Sequence, residues 1–185
     1  MEALTYDVET AARKIYNLDL GPIKVKLMDS EDGAGWTRKQ CDVVEKWYKR
    51  YLILTAKHPA LSLVPNKEID EFWHQHILDT MKYAEDCEEI FGHFLHHFPY
   101  FGMRGEQDAK RMAESFQVTL DLYVEEFQET LSAMHADFPD GYGSNGSKCD
   151  GSNCSAKDCS KCGKSCSGGK CKGISKDFVR PTLAD

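Results

Sequence analysis

The stretch NKEIDEFWHQHILDTMKYAEDCEEIFG, residues 66 to 92, points to a helical fold class for this chain. Asn66 makes a good helix N-cap, because its side-chain oxygen accepts from amides that the first turn leaves unpaired. Ile69, Phe72, Trp73, Ile77, Ala84, Ile90 and Phe91 come next at helical spacing. The spacing predicts one long helix, with Gly92 as the point where it bends or breaks and Pro99 as its latest end.

The same pattern recurs on both sides. Upstream, Thr37 and Gln40 have the spacing of a capping box. Cys41, Val44, Tyr48, Tyr51, Leu52 and Thr55 then keep one face until His58 and Pro59. Leu4, Val8, Ala11, Ala12 and Ile15 predict a short amphipathic helix that ends near Gly21 and Pro22. Ile23, Val25 and Leu27 alternate with lysines, which predicts an extended arm. Downstream, Met112, Phe116, Leu120, Tyr123, Phe127, Leu131 and Met134 define a fourth helix to about residue 135. The fold expected is mainly α: an irregular four-helix bundle-like domain over residues 1 to 140.

Composition separates that domain from the C-terminal part of the chain. The chain has 185 residues, 41% of them hydrophobic, which suits one globular domain plus a tail. Residues 141 to 173 hold eight Gly, seven Ser, six Lys and six Cys, and no apolar core can form from them. They read as a flexible Cys-rich tail unless metal or disulfides organise them, with residues 174 to 185 as a C-terminal extension. Formal net charge is −7, but the tail carries a local +4 and the remainder −11. That acidic balance speaks against nucleic-acid binding by the body, and the tail lysines lack the interleaved aromatics that base stacking needs. No apolar run is long enough to span a membrane, and the N-terminus lacks the order of a secretory signal. The expected location is the cytoplasm.

Histidines carry the first chemical signal. A helix turns about 100° per residue, so His74 and His76 point roughly 160° apart and cannot share one ion. His76 falls within the apolar stripe and should face inward. His74 falls on a more polar side, exposed or meeting another element. Asp79, Asp86, His93 and His97, with Tyr83, fall on one polar strip bordering the core. A divalent ion held by His76, Asp79, Asp86 and one histidine of the His93, His96, His97 cluster is one reading, Asp79 being the nearest carboxylate to His76. It needs a break near Gly92, because a straight helix would part Asp79 from His93 by roughly 21 Å. The bland alternative is a core His76 hydrogen-bonded to Asp79, with HFLHH as a solvated helix end. Glu71 and His74 match half of a di-iron pattern whose second half is missing.

The stretch VPNKEIDEFWHQHILDTMKYAEDCEEIFG resembles the repeated core of the glycine-rich domain-containing protein-like family. Ile69, Asp70, Trp73, His74, His76, Tyr83, Asp86, Cys87 and Gly92 match its pattern, and the resemblance covers roughly residues 15 to 105. A Gly- and Cys-rich C-terminal region also fits larger members, although this tail is rich in Lys and Ser instead of nearly pure glycine. The resemblance implies no catalytic residue.

The tail carries the strongest chemical signal. Cys149, Cys154, Cys159, Cys162, Cys166 and Cys171 are separated by gaps of two to four residues. Thiolates so spaced bind Zn(II) or Cu(I), and glycine and serine let one loop wrap an ion. Neighbouring lysines favour the thiolate form. Cys159 and Cys162 form half of a zinc knuckle that Cys166 and Cys171 could complete. A disulfide-stapled peptide would need oxidising conditions, and a modification substrate is a further alternative. Together these signals lead to a metal-binding protein, with Zn(II) or Cu(I) at the tail and a divalent ion at a His/Asp centre. The rival is a non-enzymatic interaction module that docks a protein partner through the turn Phe98, Pro99, Tyr100, Phe101 and Gly102.

Overall fold

A computed structural model describes residues 7 to 136, and the tail cysteines lie outside the described residues. Seven helices and no strand make up the described part, so the mainly α expectation holds. Helix α1, Val8–Tyr16, is capped by the Asp7 carboxylate, which accepts from the amides of Glu9 and Thr10.

Residues 23 to 27 are a correction. They belong to helix α2, Gly21–Met28, which has Pro22 in its first turn. Ile, Val and Leu interleaved with lysines fit period two, but Ile23 and Leu27 also stand four residues apart, one helical turn. Both are buried. A lone strand would have left its amides unpaired, whereas the helix satisfies them internally.

Helix α3, Arg38–Lys57, is the hub, packed against α1, α2 and three helices that come later in the chain. The capping box of Thr37 and Gln40 forms as expected. Cys41, Val44, Trp47, Tyr48, Tyr51, Leu52, Ile53, Leu54 and Ala56 are buried, so α3 is apolar around most of its circumference, as a central helix must be.

The predicted long helix is two. Helix α4, Lys67–Leu78, starts at the Asn66 cap, and Asp79 ends it. The same Asp79 opens helix α5, Thr80–Phe91, by accepting from the Lys82 amide. An aspartate that can cap competes with helix continuation, so the chain turns there and α5 folds back against α4 and α1. The break resets the buried face to Tyr83, Cys87, Ile90 and Phe91, which leaves Ala84 exposed. Gly92, with φ of 69°, terminates α5 in the left-handed conformation that glycine tolerates best.

The fourth predicted helix is divided too. Helix α6 spans Glu106–Phe127 and helix α7 Leu131–Ala136, with Gln128 at φ 55° between them. The Arg50 guanidinium meets Glu129 of that connection bidentately at 3.0 Å and lies over the rings of Trp47 and Phe127. Among the described residues no helix is long and apolar enough to cross a membrane.

Candidate metal centre

Asp70 occupies the first turn of α4 and His74 the next turn on the same face. Two residues four apart on a helix are neighbours, and here His74 Nε2 stands 3.7 Å from an Asp70 carboxylate oxygen. The third member comes from the segment after Gly92. His97 Nε2 lies 3.0 Å from the other Asp70 oxygen, and the two imidazole rings are 4.7 Å apart between centroids. One ligand atom from each of Asp70, His74 and His97 falls within 4.8 Å of the others. Tetrahedral ligands bound at about 2.0–2.2 Å stand roughly 3.4 Å apart, so an ion here would spread the His97–Asp70 pair and draw the wider separations in by up to about 1.4 Å.

The group sits at the surface. His74 is 41% exposed, Asp70 34% and His97 16%. Its inner wall is Trp73, whose ring packs edge-on against His97 at 4.6 Å. With three donor groups on one side and solvent on the other, an ion held here would keep coordination positions for water or a further ligand.

The residues named from the sequence are distributed differently. His76 is indeed inward, 1% exposed. Its Nδ1 is 2.9 Å from the Tyr48 hydroxyl and its Nε2 2.8 Å from Asp86, so its carboxylate partner is Asp86 and not Asp79. Lys82 adds an ion pair to Asp86 at 2.9 Å. Burial lowers the His76 pKa against the pull of Asp86. Burial works in the opposite sense on the Asp86 carboxyl, yet the His76 and Lys82 hydrogen bonds outweigh it and keep its pKa below the usual value. A neutral imidazole donating to Asp86 and accepting from Tyr48 satisfies both ring nitrogens and the Tyr48 hydroxyl proton, and the trio ties α3, α4 and α5 together.

Asp79 is spent on the cap between helices. His93 turns its Nδ1 to the Phe91 carbonyl, and His96 is exposed beside Phe94. HFLHH is therefore a loop beyond the αL glycine, not a helix end, and that is why His97 leaves the strip shared by Asp79 and Asp86. The helical-angle reading misses Asp70 as a ligand candidate. A signal for it is present as Asp70-x-x-x-His74, an i, i+4 pair on one face of α4.

Cys41 and Cys87 are buried free thiols. Burial pushes Cys41 up to about 12 and also raises Cys87, so neither is a reactive thiolate. Cys149, Cys154, Cys159, Cys162, Cys166 and Cys171 lie outside the described residues.

Over the described residues, fold and site together define a mainly helical protein carrying a surface His/Asp group at the junction of a helix and a loop. The chain belongs to the UCP032817-like family, whose model matches residues 16 to 127. That span takes in α2 to α6 and the segment carrying His97, and it ends before the cysteine-rich stretch. No curated protein and no solved structure matches the chain significantly.

Proposed function

We propose that this protein binds metal ions through two unlike donor sets. The first is Asp70, His74 and His97, and the observation that carries it is the convergence of one carboxylate and two imidazoles within 4.8 Å. Two histidines and a carboxylate suit a borderline divalent ion such as Zn(II) or Fe(II). The second set is the six tail cysteines, whose spacing suits Zn(II) or Cu(I) in a reducing compartment such as the cytoplasm. The resemblance of the Trp73-His74-x-His76 core to glycine-rich domain-containing proteins is part of this proposal and adds no reaction to it.

The test is elemental analysis by mass spectrometry of the full chain purified without oxygen. It is compared with a His74→Ala/His97→Ala chain and with a chain in which all six tail cysteines are serine. Each variant should lose part of the metal and retain the rest. Equal metal content in the histidine variant and the parent would refute the helical centre.

A second reading is supported by the exposed apolar side chains Phe98, Tyr100 and Met103, at 53%, 60% and 75%. They suit an interaction module that docks a protein partner. A metal-free chain that still binds a partner, and loses it when these three become serine, would favour that reading.

A further inference from the structure

His97 lies in a segment without regular structure, between the αL glycine that ends α5 and the start of α6. A ligand on such a segment is useful only if something fixes it, because ordering a free loop at the moment of binding costs affinity. The fixing contacts are on the buried face of α5. The Tyr83 hydroxyl donates to the Leu95 carbonyl at 2.6 Å, two residues before His97. The same oxygen accepts from Trp73 Nε1 at 2.9 Å. One turn further along α5, the Cys87 thiol also meets the backbone of Leu95. Trp73 in turn supports the His97 ring directly. Tyr83 is itself 1% exposed and wedged between His76 and Phe94, at 5.0 and 5.1 Å between ring centroids.

We propose that Tyr83 is a positioning residue for the Asp70, His74 and His97 group, fixing Leu95 and thereby aiming His97 at its two partners. This rests on the metal-binding reading of that group. Tyr83 makes no hydrogen bond to Asp70, His74 or His97 and acts through the segment it holds and the indole it accepts from. Groups hydrogen-bonded directly to a metal ligand typically cost 10- to 100-fold in metal affinity when removed, and Tyr83, one step further out, is expected at the lower end of that range.

The experiment uses the full chain with the six tail cysteines changed to serine, so that Co(II) reports on the helical site alone. Co(II) affinity and visible absorption are compared for this parent, Tyr83→Phe, His97→Ala and the double variant. Tyr83→Phe keeps the ring and removes only the hydroxyl, and thermal melts establish that each chain is folded. The expected results are a roughly 10-fold loss in Tyr83→Phe, with a spectrum resembling that of His97→Ala. The double variant should be no worse than His97→Ala, since an effect exerted through one residue vanishes with it. Unchanged affinity in folded Tyr83→Phe, or a loss that adds in full to that of His97→Ala, would overturn the positioning role. Should Tyr83→Phe not fold, Trp73→Phe removes the indole donor from the same pair and is expected to weaken Co(II) in the same non-additive way. Absence of Co(II) binding by the parent would instead overturn the metal reading, and the proposal with it.

Discussion

His76 shows how far single residues can be read. Its helical angle predicts burial, and it is buried; its partner is not legible, because a helix break rotates Asp86 toward it. The side chain holds two buried polar groups, so His76→Ala should destabilise the protein by about 3 kcal/mol, because the Tyr48 hydroxyl and the Asp86 carboxylate each lose a partner. Urea unfolding measures that loss. On the proposed Asp70, His74 and His97 centre, metal content of the folded fraction should not change, since both His76 ring nitrogens are already engaged by Tyr48 and Asp86. Asp70 is the opposite case: its role depends on where His97 goes, and no periodicity carries that information. A pair on one helix is legible, but the third member of the group, supplied by a loop, is not.

Among the helices, the capped starts at Thr37 and Asn66 and the end at Gly92 are legible, and the break at Asp79 is not. Asn66 and Thr37 cap as their side chains demand, yet Asp79 looks like one more polar position on a long helix. Its capping role is visible only once α5 has somewhere to pack. Asp79→Ala should cost about 1 kcal/mol through loss of the cap, read as a lower thermal midpoint. The 93 to 105 segment is governed by two further local features. Gly102 sits at φ 88°, where a Cβ would also approach Met112 Sδ to 2.5 Å. Asp108, 2% exposed, accepts from the amides of Gly102 and Arg104 and from the Arg104 guanidinium. Gly102→Ala should therefore cost about 1–3 kcal/mol. It should also speed amide exchange from 93 to 105 while leaving α3 protected, and hydrogen exchange followed by mass spectrometry checks both parts.

For the whole molecule, composition announces a folded body and a cysteine-rich segment, and hydrophobic spacing announces a helical class. Spacing alone underestimates the number of helices, because short connections at Asp79 and Gln128 preserve the apolar rhythm across a turn. The two carboxylates held furthest below their ordinary values contribute most to acid sensitivity. Arg104 holds Asp108 at about 2, and Arg50 with Lys46 holds Glu129 at about 2, against ordinary values of 3.8 and 4.5. Both are lowered by folding, so their stabilising contribution is complete above about pH 4.5 and fades as pH falls towards 2. Arg50→Met should therefore lower stability most at neutral pH and progressively less as pH falls towards 2, moving the acid-unfolding midpoint upward. Urea unfolding followed by circular dichroism across pH decides it, and an equal loss at pH 7 and pH 2 would contradict it.

Metal binding by the helical body can be read at the ligand atoms themselves. Nitrogen-15 spectra of the imidazole rings would be recorded on the full chain with increasing Zn(II). One ring nitrogen each of His74 and His97 should move to the metal-bound range, while His76 keeps the signature of a neutral ring between Tyr48 and Asp86. Movement of His76 or His93, with His74 and His97 unchanged, would contradict the Asp70, His74 and His97 centre.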